Sequence, residues 1–146
     1  MVSIIHDVRY YETDKMGVVH HSNYIRWFED ARLAWLEQAG TPFAEAEEEG
    51  LISPVIAISC DYKNPAKFGD RIRLHIQCTK YNGIRLEYAY KAMREDGTIL
   101  VTGTSKHCFM TDESPGPVPM QKIWPEMYEN ILAAHQADLL EAKGDV

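Results

Sequence analysis

The sequence predicts an α+β fold: one long helix inserted after a first strand and embraced by a twisted antiparallel sheet of about five strands, with a second helix at the C-terminus. Three observations carry that prediction. The apolar spacing switches from two to about 3.6 residues near Tyr24 and returns to two after Pro54. Two strong hairpin signals, Asn82-Gly83 and Asp96-Gly97, join three alternating runs into a meander. A second helical pattern follows the extended stretch through Pro115, Pro117 and Pro119.

Taken in order, Ile4 to Tyr11 alternates Ile4, His6, Val8 and Tyr10 against Ile5, Asp7, Arg9 and Tyr11, which reads as a first strand. From Tyr24 to Ala39, a turn of about 100° per residue gathers Tyr24, Trp27, Phe28, Ala31, Ala34, Trp35, Gln38 and Ala39 into one arc opposite Arg26, Asp30 and Glu37. Ile25 and Leu36 widen the arc, so a helix wrapped on most sides is expected. Ser22 or Asn23 is the expected cap, and Gly40 with Pro42 marks the end. The acidic stretch Glu45 to Glu49 reads as a short solvated helix or turn. Val55 to Tyr62 is apolar on both faces. Asp70 to Lys80 alternates Ile72, Leu74, Ile76 and Cys78 against Arg71, Arg73, His75 and Gln77. Ile84, Leu86, Tyr88 and Tyr90 open the next strand, and Ile99 to Met110 the last. Trp124 to Ala142 then carries the helical pattern through Tyr128, Ile131, Leu132, His135 and Leu139.

A chain of 146 residues is the size of one domain, and a single domain spanning 1–146 is expected. Its 22 acidic and 15 basic residues give a net charge of −7, and no cluster of Lys and Arg interleaves with aromatics, which argues against a nucleic-acid surface. Cys60, Cys78 and Cys108 are odd in number and widely spaced, which speaks against a disulfide framework or a zinc site and for free thiols in a reducing cytoplasm. Neither a signal peptide nor a membrane-spanning apolar run is legible, so membrane insertion is not expected. One helix cannot cover both faces of the sheet. Residues such as Ile56, Ile58 and Cys60 need cover from a C-terminal helix or a second subunit, and a homodimer or homotetramer is expected.

The most informative segment is Tyr10 to Tyr24, which sets a lone carboxylate, Asp14, between a strand and the start of a long helix. Unpaired N–H groups and a partial positive charge at such a helix start can stabilise an oxyanion beside it. Read from the residues alone, Asp14 is more readily an ordinary turn aspartate. Val8 to Arg32 resembles the signature of the hotdog-fold acyl-CoA thioesterases of the 4-hydroxybenzoyl-CoA thioesterase-like group. The matching residues are Tyr10-Tyr11, Thr13-Asp14, Gly17-Val18-Val19, His21, Asn23-Tyr24, Glu29 and Ala31-Arg32. Tyr62, Pro65 and Phe68-Gly69-Asp70 extend the resemblance. His20 is a departure, standing where many members carry Tyr or Trp.

That resemblance implies hydrolysis of an acyl-CoA thioester to a free acid and coenzyme A, without cofactor or metal. Asp14 is then the general base or the nucleophile, and the backbone N–H of His21 is the oxyanion donor. Gly17, Val18, Val19, Asn23 and Tyr24 are the accompanying substrate-binding positions. Gly17 also has its own physical case, because a side chain there would crowd a backbone that must approach the thioester. The His21 side chain is expected to support the loop or a water, and Glu29 to pin the helix by a salt bridge, with Arg32 or sheet cations as partner. His20 and His21 do not make a metal site, since adjacent side chains diverge and no third ligand has a recognisable spacing. Lys63, Lys67, Arg71, Lys80 and Arg85 are available for the coenzyme A phosphates. Two rivals stand beside this reading: a hotdog hydratase or dehydratase acting on enoyl or 3-hydroxyacyl thioesters, and a non-catalytic acyl-CoA-binding module.

Overall fold

The structure, a computed structural model, describes residues 2–144. Met1, Asp145 and Val146, the ends of the expected 1–146 domain, lie outside the described residues. The elements are β1 (Val2–Asp7), a 3-10 turn (Tyr10–Glu12), α1 (Ser22–Gln38), α2 (Phe43–Glu48), β2 (Val55–Tyr62), β3 (Arg71–Tyr81), β4 (Arg85–Arg94), β5 (Ile99–Cys108), α3 (Met120–Ile123) and α4 (Pro125–Gly144). The strands form one antiparallel sheet in the order β1-β3-β4-β5-β2. Both predicted hairpins are present and held by the side chains that signalled them. Asn82 Oδ1 accepts from the N–H groups of Ile84 and Arg85 at 2.9 and 2.8 Å, and Asp96 Oδ1 accepts from Thr98 N–H at 2.9 Å.

The first strand is shorter than its alternation suggests. It ends at Asp7 rather than Tyr11, and Tyr10–Glu12 coils into a 3-10 turn. The cause is Glu12, whose carboxylate takes the Arg9 N–H at 2.7 Å and so turns the chain inward.

Helix α1 lies across the concave face of the sheet. Trp27, Phe28, Ala31 and Trp35 are no more than 2% exposed, and each large side chain so buried contributes roughly 1.5–3 kcal/mol. Phe28 stacks on Tyr90 of β4 with centroids 4.2 Å apart. Gly103 of β5 makes that approach possible: a Cβ there would lie 2.6 Å from the Phe28 ring and 2.5 Å from the Ser59 carbonyl oxygen. Two expectations for α1 are corrected. The helix is not wrapped on most sides, because Ile25, Arg26, Glu29 and Asp30 are exposed. Neither Ser22 nor Asn23 caps it. His21 holds the cap position without a side-chain bond, Ser22 Oγ meets His20 Nδ1, and Asn23 Nδ2 donates to Glu12 O. The other end closes as expected at Gly40, with Gly40 N–H on Glu37 O and Thr41 N–H on Leu36 O.

Arg32 is buried in the helix–sheet interface, although its neighbours in sequence place it on the polar flank. It donates to Glu29 Oε1 at 2.7 Å, the predicted pair, and to Nδ1 of buried His107 at 3.3 Å. Arginine has only donors, so His107 carries its proton on Nε2 and donates to Ser105 Oγ at 2.7 Å. Burial and then the Arg32 charge bring the His107 pKa down to about 4.

The two sheet edges differ. Beyond Ile76, the partner of Val2, the edge of β3 is met by α4: Asp138 accepts the Cys78 N–H at 2.8 Å and His135 Nδ1 donates to the Cys78 carbonyl at 3.2 Å. The same Asp138 carboxylate accepts from Trp35 Nε1 at 2.8 Å. These contacts turn Ile131, His135 and Asp138 inward and leave Leu139 and Leu140 exposed, so the helical pattern assigned to Leu139 is off the packed face. At the opposite edge, β2 is a strand where expected, but its apolar residues are not buried. Ile56 is 48% and Ile58 42% exposed, and among the described residues no strand pairs with the outer side of β2. Cys60 is half-buried, and Cys78 and Cys108 are buried; all three are free thiols. Among the described residues no helix is long and apolar enough to cross a membrane.

Candidate functional site

Asp14 sits in a tight turn whose hydrogen bonds are nearly all local. Its N–H donates to Val18 O at 2.8 Å, its carbonyl accepts from Gly17 N–H at 3.0 Å, and its Oδ1 accepts from Met16 N–H at 2.8 Å. Gly17 closes this turn with φ of +79°, a conformation that glycine adopts without strain. A Cβ on Gly17 would meet nothing within 4 Å, so backbone geometry, not the expected crowding, is what this position asks of its residue. Isolated bridges Thr13↔Val19 and Val18↔Lys67, with Val19 N–H on Ala66 O at 2.8 Å, latch the turn to the segment before β3.

Glu12 fastens the turn to the helix. Its carbonyl accepts from His20 N–H and Asn23 Nδ2, both at 2.8 Å. Its carboxylate accepts from Arg9 N–H, from His6 Nε2 at 2.8 Å and from Trp27 Nε1 at 2.7 Å. Burial works against the charged form, but the Arg9 N–H and then the His6 and Trp27 donors outweigh it and hold the Glu12 carboxyl below its ordinary range. Glu12 and Asp14 thus divide the work: the first is saturated with donors, whereas Asp14 Oδ2 has no hydrogen-bond partner among the described residues.

The half-buried Asp14 opens on a cavity of about 300 Å³ that also receives Val18, Val19, His21, Tyr24 and, from β2 and the chain after it, Tyr62, Lys63 and Asn64. At its rim is the head of α1. The His21 N–H has no acceptor among the described residues, as the first amide of an uncapped helix should. The Tyr62 hydroxyl donates to the His21 carbonyl at 3.1 Å, and Tyr24 Oη accepts from Ala66 N–H at 3.3 Å. An open carboxylate oxygen on Asp14 and an unsatisfied amide on His21, two residues that line one cavity, are groups of the kind that activate a nucleophile and receive an oxyanion.

Of the residues singled out from the sequence, the structure brings together Asp14, His21, Val18, Val19 and Tyr24. Asn23 is not on the cavity: it is 7% exposed and bound to Glu12 O. Gly17 lies at the outer tip of the turn. His20 faces solvent, its ring 4.1 Å from that of His21. The sequence reading missed Glu12 as an organising residue and Tyr62 as a cavity wall. The alternation that places Glu12 after a strand hides its inward turn, and Tyr62 is 48 residues from Asp14, so no local spacing links them. Among the described residues no group of three or more His, Cys, Asp or Glu side chains could hold a metal ion.

Residues 8–132 match the model of the Thioesterase-like superfamily. The Bacillus subtilis protein named "Putative acyl-CoA thioesterase YneP" is 34% identical over 122 residues, covering 84% of this chain and 88% of the relative. The 1,4-dihydroxy-2-naphthoyl-CoA hydrolase of Thermosynechococcus vestitus is 27% identical, covering 68% and 69%. The crystal structure of the DHNA-CoA thioesterase of Staphylococcus aureus superposes with a TM-score of 0.88 at 29% identity, over 99% of this chain and 95% of that one.

Proposed function

The chain belongs to the thioesterase-like superfamily, and from that premise we propose that Asp14 and the head of α1 form a site that hydrolyses acyl-CoA thioesters to a free carboxylic acid and coenzyme A. Its fold is the hotdog fold, and it is a thioester hydrolase. The observation that supports the assignment of residues is the cavity lined by both Asp14 and His21, whose N–H has no acceptor among the described residues.

The thioester carbonyl oxygen rests on the His21 N–H, where it gains negative charge as the carbonyl carbon becomes tetrahedral; one such donor contributes about 3 kcal/mol. Asp14 either takes a proton from water as that water attacks, or attacks directly to give a mixed anhydride that water then cleaves. In both routes the C–S bond breaks, the thiolate leaves and is protonated, and the acid departs with the oxygen of water. Val18, Val19 and Tyr24 line the pocket around the reacting group. Gly17 shapes the turn and Asn23 braces it, so both serve the site through the backbone. No cofactor is called for. Of the expected cations for the coenzyme A phosphates, Lys63 lines the cavity.

The exposed apolar edge of β2 supports a homodimer or homotetramer in which the site is completed by a second copy. Light scattering should return a multiple of the chain mass, and a fully active monomer overturns that assembly. The three free thiols fit a cytoplasmic protein.

The test is a panel of saturated short, medium and aromatic acyl-CoAs assayed with a thiol-detecting reagent. Release of coenzyme A from saturated substrates is expected, because they have no double bond to hydrate. If no thiol appears while an enoyl-CoA loses its conjugation, the hydratase alternative replaces this one.

A further inference from the structure

We infer that Tyr62 is a positioning residue for the hydrolytic step, tying the edge strand β2 to the oxyanion-binding head of α1. The inference rests on the assignment of Asp14 and His21 above. The head of α1 has no side-chain cap, and Tyr62 is the β2 side chain that reaches it. Its hydroxyl donates to the His21 carbonyl at 3.1 Å, and its ring stands edge-on to the His21 ring (centroids 6.3 Å apart, interplanar angle 83°) and to the Tyr24 ring (5.6 Å, 66°). Tyr62 and Asp14 line the same cavity, so the brace acts inside the reacting space.

The chemistry of the phenol fits bracing and not proton transfer. Burial, then the contact with Cys60 and the neighbouring Tyr24, push the Tyr62 pKa up to about 12, so the hydroxyl remains a donor across the working pH range. The position in the fold is equally specific. Tyr62 is the last residue of β2, paired with Val101 of β5, and among the described residues its hydroxyl is the group of the edge strand that hydrogen-bonds to the helix head. Whatever seats β2 therefore also sets the aim of the His21 amide. A misplacement near 1 Å at a reacting group costs on the order of a hundredfold, and a lost brace that is partly compensated by packing costs less.

Tyr62→Phe keeps the ring contacts and removes the donor. The full-length variant, assayed with the acyl-CoA that the wild type hydrolyses best, should show kcat lowered about tenfold, KM within about twofold, and an unchanged thermal midpoint, oligomeric state and pH profile. Tyr62→Leu, which also removes the cavity wall, should add a rise in KM. An unchanged kcat in Tyr62→Phe overturns the inference. So does a loss of kcat matched by a loss of thermal stability, which marks a purely structural residue, or a missing alkaline limb in the pH profile, which marks a proton donor. Asp14→Asn run in parallel separates the two layers: turnover surviving there sinks the assignment of the base, whereas Tyr62→Phe behaving as wild type sinks only the brace.

Discussion

The two ends of α1 are finished in opposite ways. At its C-terminus the last carbonyls are taken by Gly40 and Thr41, Trp35 is bound to Asp138, and Asn130 Nδ2 donates to Gly40 O at 3.3 Å. At its N-terminus no side chain caps the helix, the His21 N–H is open, and a half-buried carboxylate waits across a cavity. One end is closed by hydrogen bonds, and the other is left unsatisfied beside the proposed site.

Asp14→Asn tests the open end and carries the largest expected effect. It preserves size and can still accept from Met16 N–H, so turnover should fall by roughly two orders of magnitude or more with thermal stability unchanged. Near-wild-type kcat in a folded variant would remove Asp14 from the mechanism. Asp138→Ala tests the closed end by orphaning two buried donors, Trp35 Nε1 and Cys78 N–H. Denaturant titration should show a loss of roughly 2–4 kcal/mol, with kcat per folded molecule within about twofold. If activity falls and stability does not, the division between the ends is wrong.

Between the ends, His107 sets a pH dependence. Its folded pKa lies below the 6.5 of the free side chain, so the unfolded chain binds the proton first as pH falls, and stability is lost from about pH 6.5 downward until the folded form also titrates near 4. The expected loss between pH 7 and 4.5 is roughly 2–3 kcal/mol, and His107→Gln should flatten that slope. An unaltered slope would exclude His107 as its source. The smallest effect is expected of Ser22→Ala. Because Ser22 bonds His20 and caps nothing, stability should change by less than about 0.5 kcal/mol, where a true cap costs about 1. A loss of 1 kcal/mol or more would restore the capping role.

Periodicity found α1, the meander and both hairpins, because a buried face repeats along the chain and Asn82 and Asp96 make their turns locally. It also set Asp14 between the first strand and the start of α1. What it could not supply was context at a distance. Val55 to Tyr62 has the composition of a buried strand, yet its burial depends on being outermost in the sheet, a property of strand order and not of the segment. Arg32 meets His107 across 75 residues, so its inward turn has no local signal. Glu12 was hidden for a different reason: one side chain capturing the Arg9 N–H overrode an alternation that ran on to Tyr11.

The strand order has a temporal consequence. β1 pairs with β3 and β2 with β5, so nothing made before Arg71 has its strand partner until later residues exist. As the chain leaves the ribosome, α1 emerges with Trp27, Phe28 and Trp35 and no floor to rest on. The β3-β4-β5 hairpins are short-range and close quickly, whereas β2 must wait for β5 across about forty intervening residues. The pairings of the meander are therefore the most local in the sheet, and the half of the chain that carries Asp14 and His21 can complete its strand pairing only after later residues exist.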